Sequence, residues 1–356
     1  MENKIVFVIP DMPGGGTERV VAYLANEYAK RNIETAILLF AGNQRAYELD
    51  EKIEVVTVGN PSGGKLSARL DRIKKMRLYY KQNPNCQIWA FSVMGAVFSV
   101  VATWGMRKNH TFLVSERNDP NRYDHPKIRD FFYRFADVIV CQTQDAIESF
   151  PKGIRKKSIV IPNPIDIGDL QPHIGEREKK VVAVGRLEPQ KNHKLLLQAF
   201  ARFVSKHPEY TLHLYGKGEL ETELRELAAQ LGIDEDVNFI GFSNRVKEEI
   251  NSAAMFVLSS DYEGISNSML EAIALGVPVV ATDCPIGGSK AYIEDGKNGF
   301  LVPVGDVDAL AEAMEKLADN PELSQKISVE GSKLREKNRV EQIADAFLKA
   351  AKSKIG

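Results

Sequence analysis

Two carboxylates, Glu263 and Glu271, stand with seven residues between them in the stretch SSDYEGISNSMLEAIALGVPVVATD, residues 259–283. An apolar strand, Ala254 to Leu258, precedes them. A turn follows from Ser259 to Gly264, and a helix is predicted to open at Ser266 or Asn267, both good N-cap residues. The first turn of such a helix offers unpaired backbone N–H groups and the positive end of the helix dipole, which suit a diphosphate. Glu271 lies one turn further in, on the face shared by Asn267 and Leu275, where a carboxylate can accept two hydrogen bonds from a ribose diol. A second cluster, Gly185-Arg186-Leu187-Glu188, ends another apolar strand, and Lys191 follows at a predicted helix start. The forked donors of arginine and the point charge of lysine together suit a pyrophosphate. Taken singly, each of these charges has a plainer reading as an exposed side chain, because charged residues are mostly exposed.

The elements that must position them alternate along the chain. Lys4 to Ile9, Thr35 to Phe40, Ile53 to Val58, Gln87 to Phe91, Thr111 to Val114 and Val138 to Cys141 read as short apolar strands. Helical stretches lie between most of them, at Thr17 to Arg31, Lys65 to Lys81 and Lys127 to Phe135. This alternation predicts a doubly wound parallel sheet with helices on both faces. It stops at Ile161-Pro162-Asn163-Pro164-Ile165-Asp166 and the polar stretch to Lys179, which reads as a linker. It restarts with Lys180 to Val184, Tyr210 to Tyr215, Val237 to Ile240, Ala254 to Leu258 and Val277 to Ala281. Helices near Val307 to Ala318, Pro321 to Lys337 and Val340 to Lys352 close the chain. The fold class is therefore α/β, with two Rossmann-like domains, residues 1–165 and 166–338, facing across a cleft suited to a ligand.

Composition narrows the function classes. The 356 residues suffice for two domains, and 44% hydrophobic residues can fill two cores. With 47 Lys and Arg against 48 Asp and Glu the net charge is −1, so no overall field draws the chain to nucleic acid. Cys86, Cys141 and Cys284 are odd in number and far apart, which suggests a reducing compartment with neither a disulfide framework nor a zinc site. The apolar run after Lys4 is interrupted at Asp11, too soon for a signal peptide, and a cytoplasmic location is expected. Ile88 to Met106 is a charge-free run of nineteen residues, long enough for a membrane span. Ser92, Gly95, Ser99, Thr103 and Gly105 punctuate it, and a buried strand followed by a core-facing helix accounts for it better.

The segment from Glu263 to Asp283 resembles the C-terminal signature of family-4 retaining glycosyltransferases (glycosyl transferases group 1), which have the GT-B fold. The resemblance covers the Glu-x7-Glu pair, Gly276-Val277-Pro278-Val279-Val280, Ala281-Thr282-Asp283 and the turn Asp295-Gly296-Lys297-Asn298-Gly299. The run Gly185 to His193, GRLEPQKNH, is similar to the family's Gly-Arg-Leu and Lys-Asn segment. By that resemblance Arg186 and Lys191 hold the donor diphosphate and stabilise it as a leaving group. Glu263 is placed at the donor sugar with the backbone of Gly264, Ile265, Ser266 and Asn267, and Glu271 at the ribose. Gly216 and Phe242 are counted with the donor-binding positions. The loop Pro13-Gly14-Gly15-Gly16-Thr17-Glu18-Arg19 has three glycines that let backbone approach a ligand closely. In the family the corresponding loop helps shape the acceptor site, which assigns Gly15 and Gly16 to the acceptor side. The last helix, residues 339–356, crosses back to the first domain in the resembled fold. The implied activity is retaining transfer of a hexosyl unit from a nucleotide sugar, a UDP-sugar first, to a saccharide or lipid-linked saccharide. Bacterial surface polysaccharide or glycolipid synthesis is the implied setting.

The sequence also departs from that pattern. Many members carry a histidine after the fifth strand of the first domain, whereas Leu113-Val114-Ser115-Glu116-Arg117-Asn118-Asp119-Pro120 has none. Glu116, Arg117 and Asn118 remain as alternative acceptor-side contacts. At Ala291 the family commonly has a glutamate. Asp234-Glu235-Asp236 and Asp306-Val307-Asp308 have Asp-x-Asp spacing, the first in a helix-to-strand connection and the second at a helix start, where aspartate is an ordinary cap. No metal and no cofactor are expected, and cations and helix dipoles are left to carry the leaving-group charge.

The stretch from Lys65 to Lys81 points to a further partner. It has seven cations, Lys65, Arg69, Arg72, Lys74, Lys75, Arg77 and Lys81, against one anion, Asp71. Leu66, Leu70, Ile73, Met76 and Tyr80 recur at helical spacing, so the helix could lie on an anionic leaflet or pack its apolar stripe on its own sheet. The expected location is thus cytoplasmic, with a peripheral position on the inner face of the cell membrane open to it. Two other classes fit part of the pattern, a sugar-nucleotide epimerase of the same architecture and a non-catalytic scaffold that kept the fold. A nicotinamide dehydrogenase fits less well, because no Gly-x-Gly-x-x-Gly opens the chain.

Overall fold

Two parallel sheets organise the chain. The structure, a computed structural model, describes residues 3–59, 65–243 and 245–353, and divides the chain into one unit of Met1–Pro164 with Val340–Gly356 and another of Ile165–Arg339. The first unit runs β1 (Ile5–Ile9), α1 (Gly16–Lys30), β2 (Thr35–Leu39), β3 (Glu54–Thr57), α2 (Lys65–Gln82), β4 (Gln87–Ala90) and α3 (Val93–Ala102). It continues through β5 (Thr111–Ser115), α4 (Pro126–Tyr133), β6 (Val138–Cys141), α5 (Gln144–Glu148), α6 (Lys152–Arg155) and β7 (Ser158–Val160). Its seven strands are parallel in the order β3-β2-β1-β4-β5-β6-β7. Every residue of β1, IVFVI, is buried, as a strand covered by helices on both faces requires.

The second unit repeats the plan. It contains β8 (Glu178–Val184), α7 (His193–Val204), β9 (Thr211–Tyr215), α8 (Glu221–Gln230), β10 (Val237–Gly241), α9 (Val246–Ser252) and β11 (Ala253–Leu258). It ends with α10 (Asn267–Ala274), β12 (Val279–Thr282), β13 (Phe300–Val302), α11 (Val307–Asp319) and α12 (Pro321–Ser332). Its six parallel strands are ordered β10-β9-β8-β11-β12-β13.

The last helix, α13 (Val340–Ser353), belongs to the first unit. Phe347 stacks on Trp89 and Phe91 at 5.6 and 5.9 Å, Tyr28 donates to the Ala344 carbonyl at 2.8 Å, and Arg31 pairs with Asp345. Its apolar face, Ile343, Ala344, Phe347, Leu348 and Ala351, completes the core that α1 and the sheet begin.

Several sequence expectations change in detail. The charge-free run after Gln87 is β4 followed by α3, and among the described residues no helix is long and apolar enough to cross a membrane. The segment read as a linker is shorter than its composition suggests. Ile165 and Ile167 are buried in the second core, Ile165 N–H donates to the Asn338 carbonyl at 2.8 Å, and Glu178 and Lys179 already belong to β8. The strand expected from Val277 begins at Val279, because Gly276 and Val277 close α10 with bonds to the Ile273 and Ala272 carbonyls at 3.0 and 2.9 Å. The single helix expected over Pro321 to Lys337 is α12 followed by a 3₁₀ turn, Lys333–Glu336. On α2, Met76 and Tyr80 pack inward while Leu70 is exposed; the side chains of Lys65 and Leu66 lie outside the described residues.

Candidate active site

β8 and β11 are hydrogen-bonded neighbours although β9 and β10 intervene in sequence, so the winding reverses between them. In an open α/β sheet, loops leaving the carboxyl ends of two such strands flank the crevice where ligands bind. Here those loops are Gly185 to Lys191 and Ser259 to Gly264. They are tied to each other through backbone and side chain. Asp261 N–H donates to the Gln190 carbonyl at 3.0 Å, Gln190 Nε2 to the Tyr262 carbonyl at 3.0 Å, and Ser259 Oγ to the Lys191 carbonyl at 2.9 Å. Asn192 caps α7 from a left-handed conformation, φ 44°, accepting from Leu195 N–H at 3.1 Å while its Nδ2 donates to Asp261 at 2.7 Å. Asparagine is one of the few residues that tolerates that backbone.

The ties bring Lys191 and Glu263 together. The ammonium contacts Glu263 Oε2, each side chain is only 14% exposed, and Ser260 Oγ reaches the same oxygen at 3.3 Å. A half-hidden charge of either sign is costly alone, and the pair offsets that cost with a charge-assisted hydrogen bond. Arg186 stands differently: its side chain is 60% exposed and its guanidinium bonds Glu188 at 2.9 Å. Behind the pair lies Cys284, where burial, followed by the Glu263 charge, pushes the thiol up to about 12. His193, the first residue of α7, is buried with neither ring nitrogen in a hydrogen bond. Burial, followed by the Lys191 charge, lowers its pKa to about 4, and the nearby carbonyls of Arg186 and Gly185 offset this only in part.

α10 continues the site. Ser266 is its N-cap, accepting from Met269 N–H at 3.3 Å, and Ser268 through Ala274 are all buried. Glu271 is 2% exposed, which removes the plain reading of an exposed helix charge. The turn before α10 is held by Glu263 N–H donating to the Pro285 carbonyl at 3.2 Å, and Gly288 packs so closely that a Cβ there would lie 1.6 Å from the Gly264 carbonyl oxygen. Ile265 is buried and Asn267 opens the helix. Gly216, at φ 141°, passes the Gly185 carbonyl so tightly that a Cβ would come within 1.9 Å of its oxygen. Phe242, just after β10, is 53% exposed.

The acceptor-side candidates of the first unit are arranged otherwise. Gly15 is the N-cap of α1 and Gly16 its first residue, with no side-chain cap; Tyr47 OH lies 2.8 and 3.0 Å from the Gly14 and Gly15 carbonyls. Glu116 follows β5 and turns back into its own unit, where Tyr133 OH donates to one carboxylate oxygen at 2.9 Å and Arg117 N–H to the other at 3.2 Å. Burial pushes its carboxyl above the usual range, with the Tyr133 bond acting against the rise. Arg117 bonds Asn163 and lies over the Phe91 ring, 5.8 Å from its centroid, and Gln142 also donates to Asn163 at 2.6 Å. Only Asn118 of the three is exposed. Sequence reasoning passed over Asn163, Gln142 and Tyr133. The one signal was the placing of Asn163 between two prolines, which was absorbed into the linker.

Among the described residues no group of three or more His, Cys, Asp or Glu side chains is placed to hold a metal ion. Asp306 caps α11, accepting from Ala309 N–H at 2.9 Å. Cys86, Cys141 and Cys284 are free and buried.

The chain matches two protein families over nearly its whole length, "Glycosyl transferases group 1" at residues 169–334 and "Glycosyltransferase Family 4" at residues 14–169. An uncharacterized glycosyltransferase of Haemophilus influenzae is 28% identical over 97% of this chain and 99% of its own length. The lipopolysaccharide core biosynthesis glycosyltransferase LpsE of Rhizobium meliloti is 28% identical over 96% of each chain. Among solved structures, Anabaena HepE in complex with UDP and glucose is similar with a TM-score of 0.85 at 21% identity, over 99% of this chain and 100% of that one. The likeness is one of fold: two parallel-sheet, Rossmann-like domains of the GT-B class.

Proposed function

The chain belongs to the glycosyltransferases of group 1 and family 4, and on that premise we propose that it transfers a hexosyl unit from a UDP-sugar, with retention at the anomeric carbon, to a hydroxyl of a lipid-linked saccharide. The observation that carries this reading is the tied pair of loops that sets Lys191 against Glu263 beside the capped start of α10. In this reading Lys191, with Arg186 swinging from Glu188, takes the diphosphate, and the N–H groups of the first turn of α10 face the same charge. Fixed donors aimed at the departing diphosphate stabilise the charge that develops there without a metal ion. Glu271 takes the ribose hydroxyls, while Glu263 and the backbone from Gly264 to Asn267 hold the sugar. Gly216 and Phe242 flank the donor, and Gly15, Gly16 and Asn118 stand on the acceptor side. Glu116 and Arg117 would act there by holding the loop. The UDP and glucose bound by HepE and the lipopolysaccharide pathway of LpsE support the choice of donor and acceptor.

Two routes retain configuration. In one, the bond from C1 to the diphosphate oxygen breaks as the acceptor oxygen joins C1 on the same face, and the acceptor proton passes to the departing phosphate. In the other, Glu263 first displaces the diphosphate, and the acceptor then displaces Glu263. A hexosyl adduct trapped on Glu263 and seen by mass spectrometry assigns the second route.

The activity is tested by screening UDP-, GDP- and ADP-sugars for release of nucleotide diphosphate, with and without a lipid-diphosphate saccharide and with EDTA present. Acceptor-dependent release from one donor, lowered about 100-fold or more in Lys191→Ala and lost in Glu271→Ala, is expected. Conversion of the UDP-sugar without acceptor assigns an epimerase instead. Absence of both donor binding and turnover returns the molecule to a scaffold.

A further inference from the structure

The helices of the first unit leave a large apolar face open. Trp104 is 65% exposed, Phe131 52% and Ile128 51%, all on or beside α3 and α4. Trp104 and Phe131 belong to one surface, because Phe135 joins them: its ring lies 6.2 Å from Trp104 and 5.5 Å from Phe131, and Ile128 precedes Phe131 by one turn of α4. Val101, also exposed, sits one turn before Trp104, and Trp104 N–H donates to its carbonyl at 3.2 Å. Scattered exposed apolar residues are ordinary, but a contiguous group rich in aromatic rings marks an interaction site.

Charge identifies the partner. α2 packs along α3, and Arg77 of α2 donates to the Ala102 and Trp104 carbonyls, both at 2.8 Å, which fixes the basic helix beside the exposed indole. Lys74 and Lys81 of α2, Lys108 beyond Trp104, and Lys127 and Arg134 at the two ends of α4 are all exposed. The stretch Lys65 to Lys81 alone has seven cations to one anion. A second copy of the chain docking here through a two-fold axis would bring two such basic helices together, which like-charge repulsion opposes. An anionic bilayer meets both demands, since it takes aromatic rings into its interfacial zone and cations against its headgroups.

We propose that the face formed by Trp104, Phe131 and Ile128, with the cations of α2 and α4 at its rim, docks on an anionic lipid surface. The aromatic anchor is then on α4 and the turn after α3, while α2, whose Met76 and Tyr80 are buried, contributes charge together with the exposed Leu70 and Leu78. The inference deepens the reading of a lipid-linked acceptor, and it is tested without the donor, so that either can fail alone.

The chain has two tryptophans, and Trp89 is fully buried, so a change in tryptophan emission on adding vesicles reports Trp104. With vesicles containing phosphatidylglycerol the expected result is a blue shift together with co-sedimentation. Both should weaken as salt rises, and both should be much weaker with phosphatidylcholine alone. Trp104→Ala with Phe131→Ala should reduce partition about tenfold or more. The same variant should keep its circular dichroism and its turnover of a water-soluble acceptor. Lys74→Glu with Lys81→Glu should abolish the preference for anionic lipid while leaving Trp104 responsive to high lipid concentrations. Unshifted emission in wild type, or binding unaffected by loss of both aromatics, overturns the proposal. A concentration-dependent dimer that the aromatic variant abolishes assigns the face to a second copy and overturns it as well.

Discussion

The loops at the switch point of the second unit and those of the first unit start from the same architecture and end in opposite states. In the second unit, four cross-links between the turn after β8 and the turn after β11 leave Lys191 and Glu263 facing each other. In the first unit, the charged residues after β5 are consumed internally, Glu116 by Tyr133 and Arg117 by Asn163. One unit spends its loop contacts on setting two opposite charges against each other, and the other on holding each charge with a neutral side chain.

The contrast can be broken most sharply at the backbone. Gly288→Ala puts a Cβ 1.6 Å from the Gly264 carbonyl oxygen, and since a backbone atom cannot swing aside, a loss of about 3 kcal/mol or more in stability is expected, with donor affinity falling alongside. Gly153→Ala in α6 of the first unit meets nothing within 4 Å and should be neutral or slightly stabilising. Equal urea midpoints for the two variants would mean that the second unit has no special rigidity around Gly264.

A smaller effect is expected from pH. His193 has a native pKa of about 4, below its ordinary 6.5, so the folded state prefers the neutral ring. Its contribution is whole above pH 6.5 and fades as pH falls toward 4, amounting to about 2 kcal/mol between pH 7 and pH 5. His110 and His213 shift the same way, so the informative quantity is the difference between wild type and His193→Phe across that range. A phenylalanine variant that loses stability on acidification as steeply as wild type would show that His193 is not buried as described.

The smallest effect belongs to the first unit. Glu116 has a carboxyl pKa raised by burial, so ionising it at pH 7 works against the fold, and Glu116→Gln retains an acceptor for Tyr133 while removing the charge. Stability at pH 7 should stay within about 1 kcal/mol of wild type or rise, and diphosphate release should change little. A drop in turnover as large as that of Lys191→Ala would place Glu116 among the reacting groups and erase the distinction between the two units.

Much of the local structure around the switch point was legible in the residues. The two carboxylates, the helix cap at Ser266 and the Gly-Arg and Lys positions after an apolar strand are local patterns, and local patterns survive folding. What could not be read was which of those charges would meet. Arg186 and Lys191 looked equivalent, yet Arg186 turns outward to Glu188 while Lys191 is drawn to Glu263 by bonds that Ser259, Gln190 and Asp261 make across the switch point. The acceptor-side assignments were least legible, because Glu116, Tyr133, Gln142 and Asn163 come from four separate stretches of chain. The basic stripe of α2 was visible as a pattern, but the exposed rings beside it sit on α4 and the turn after α3, and no single periodicity links them.

Sequence alone determined the alternation of strands and helices, the place where it pauses near Pro164, and the residue types available for holding a diphosphate and a diol. These follow from periodicity, capping and turn chemistry, which act over a few residues. Tertiary structure decided that β8 lies beside β11, that α13 completes the first core and that Lys191 meets Glu263 in a largely buried pair while Arg186 meets its near neighbour Glu188 in solvent. Those outcomes depend on strand order and burial, and both are settled by contacts between segments tens to hundreds of residues apart.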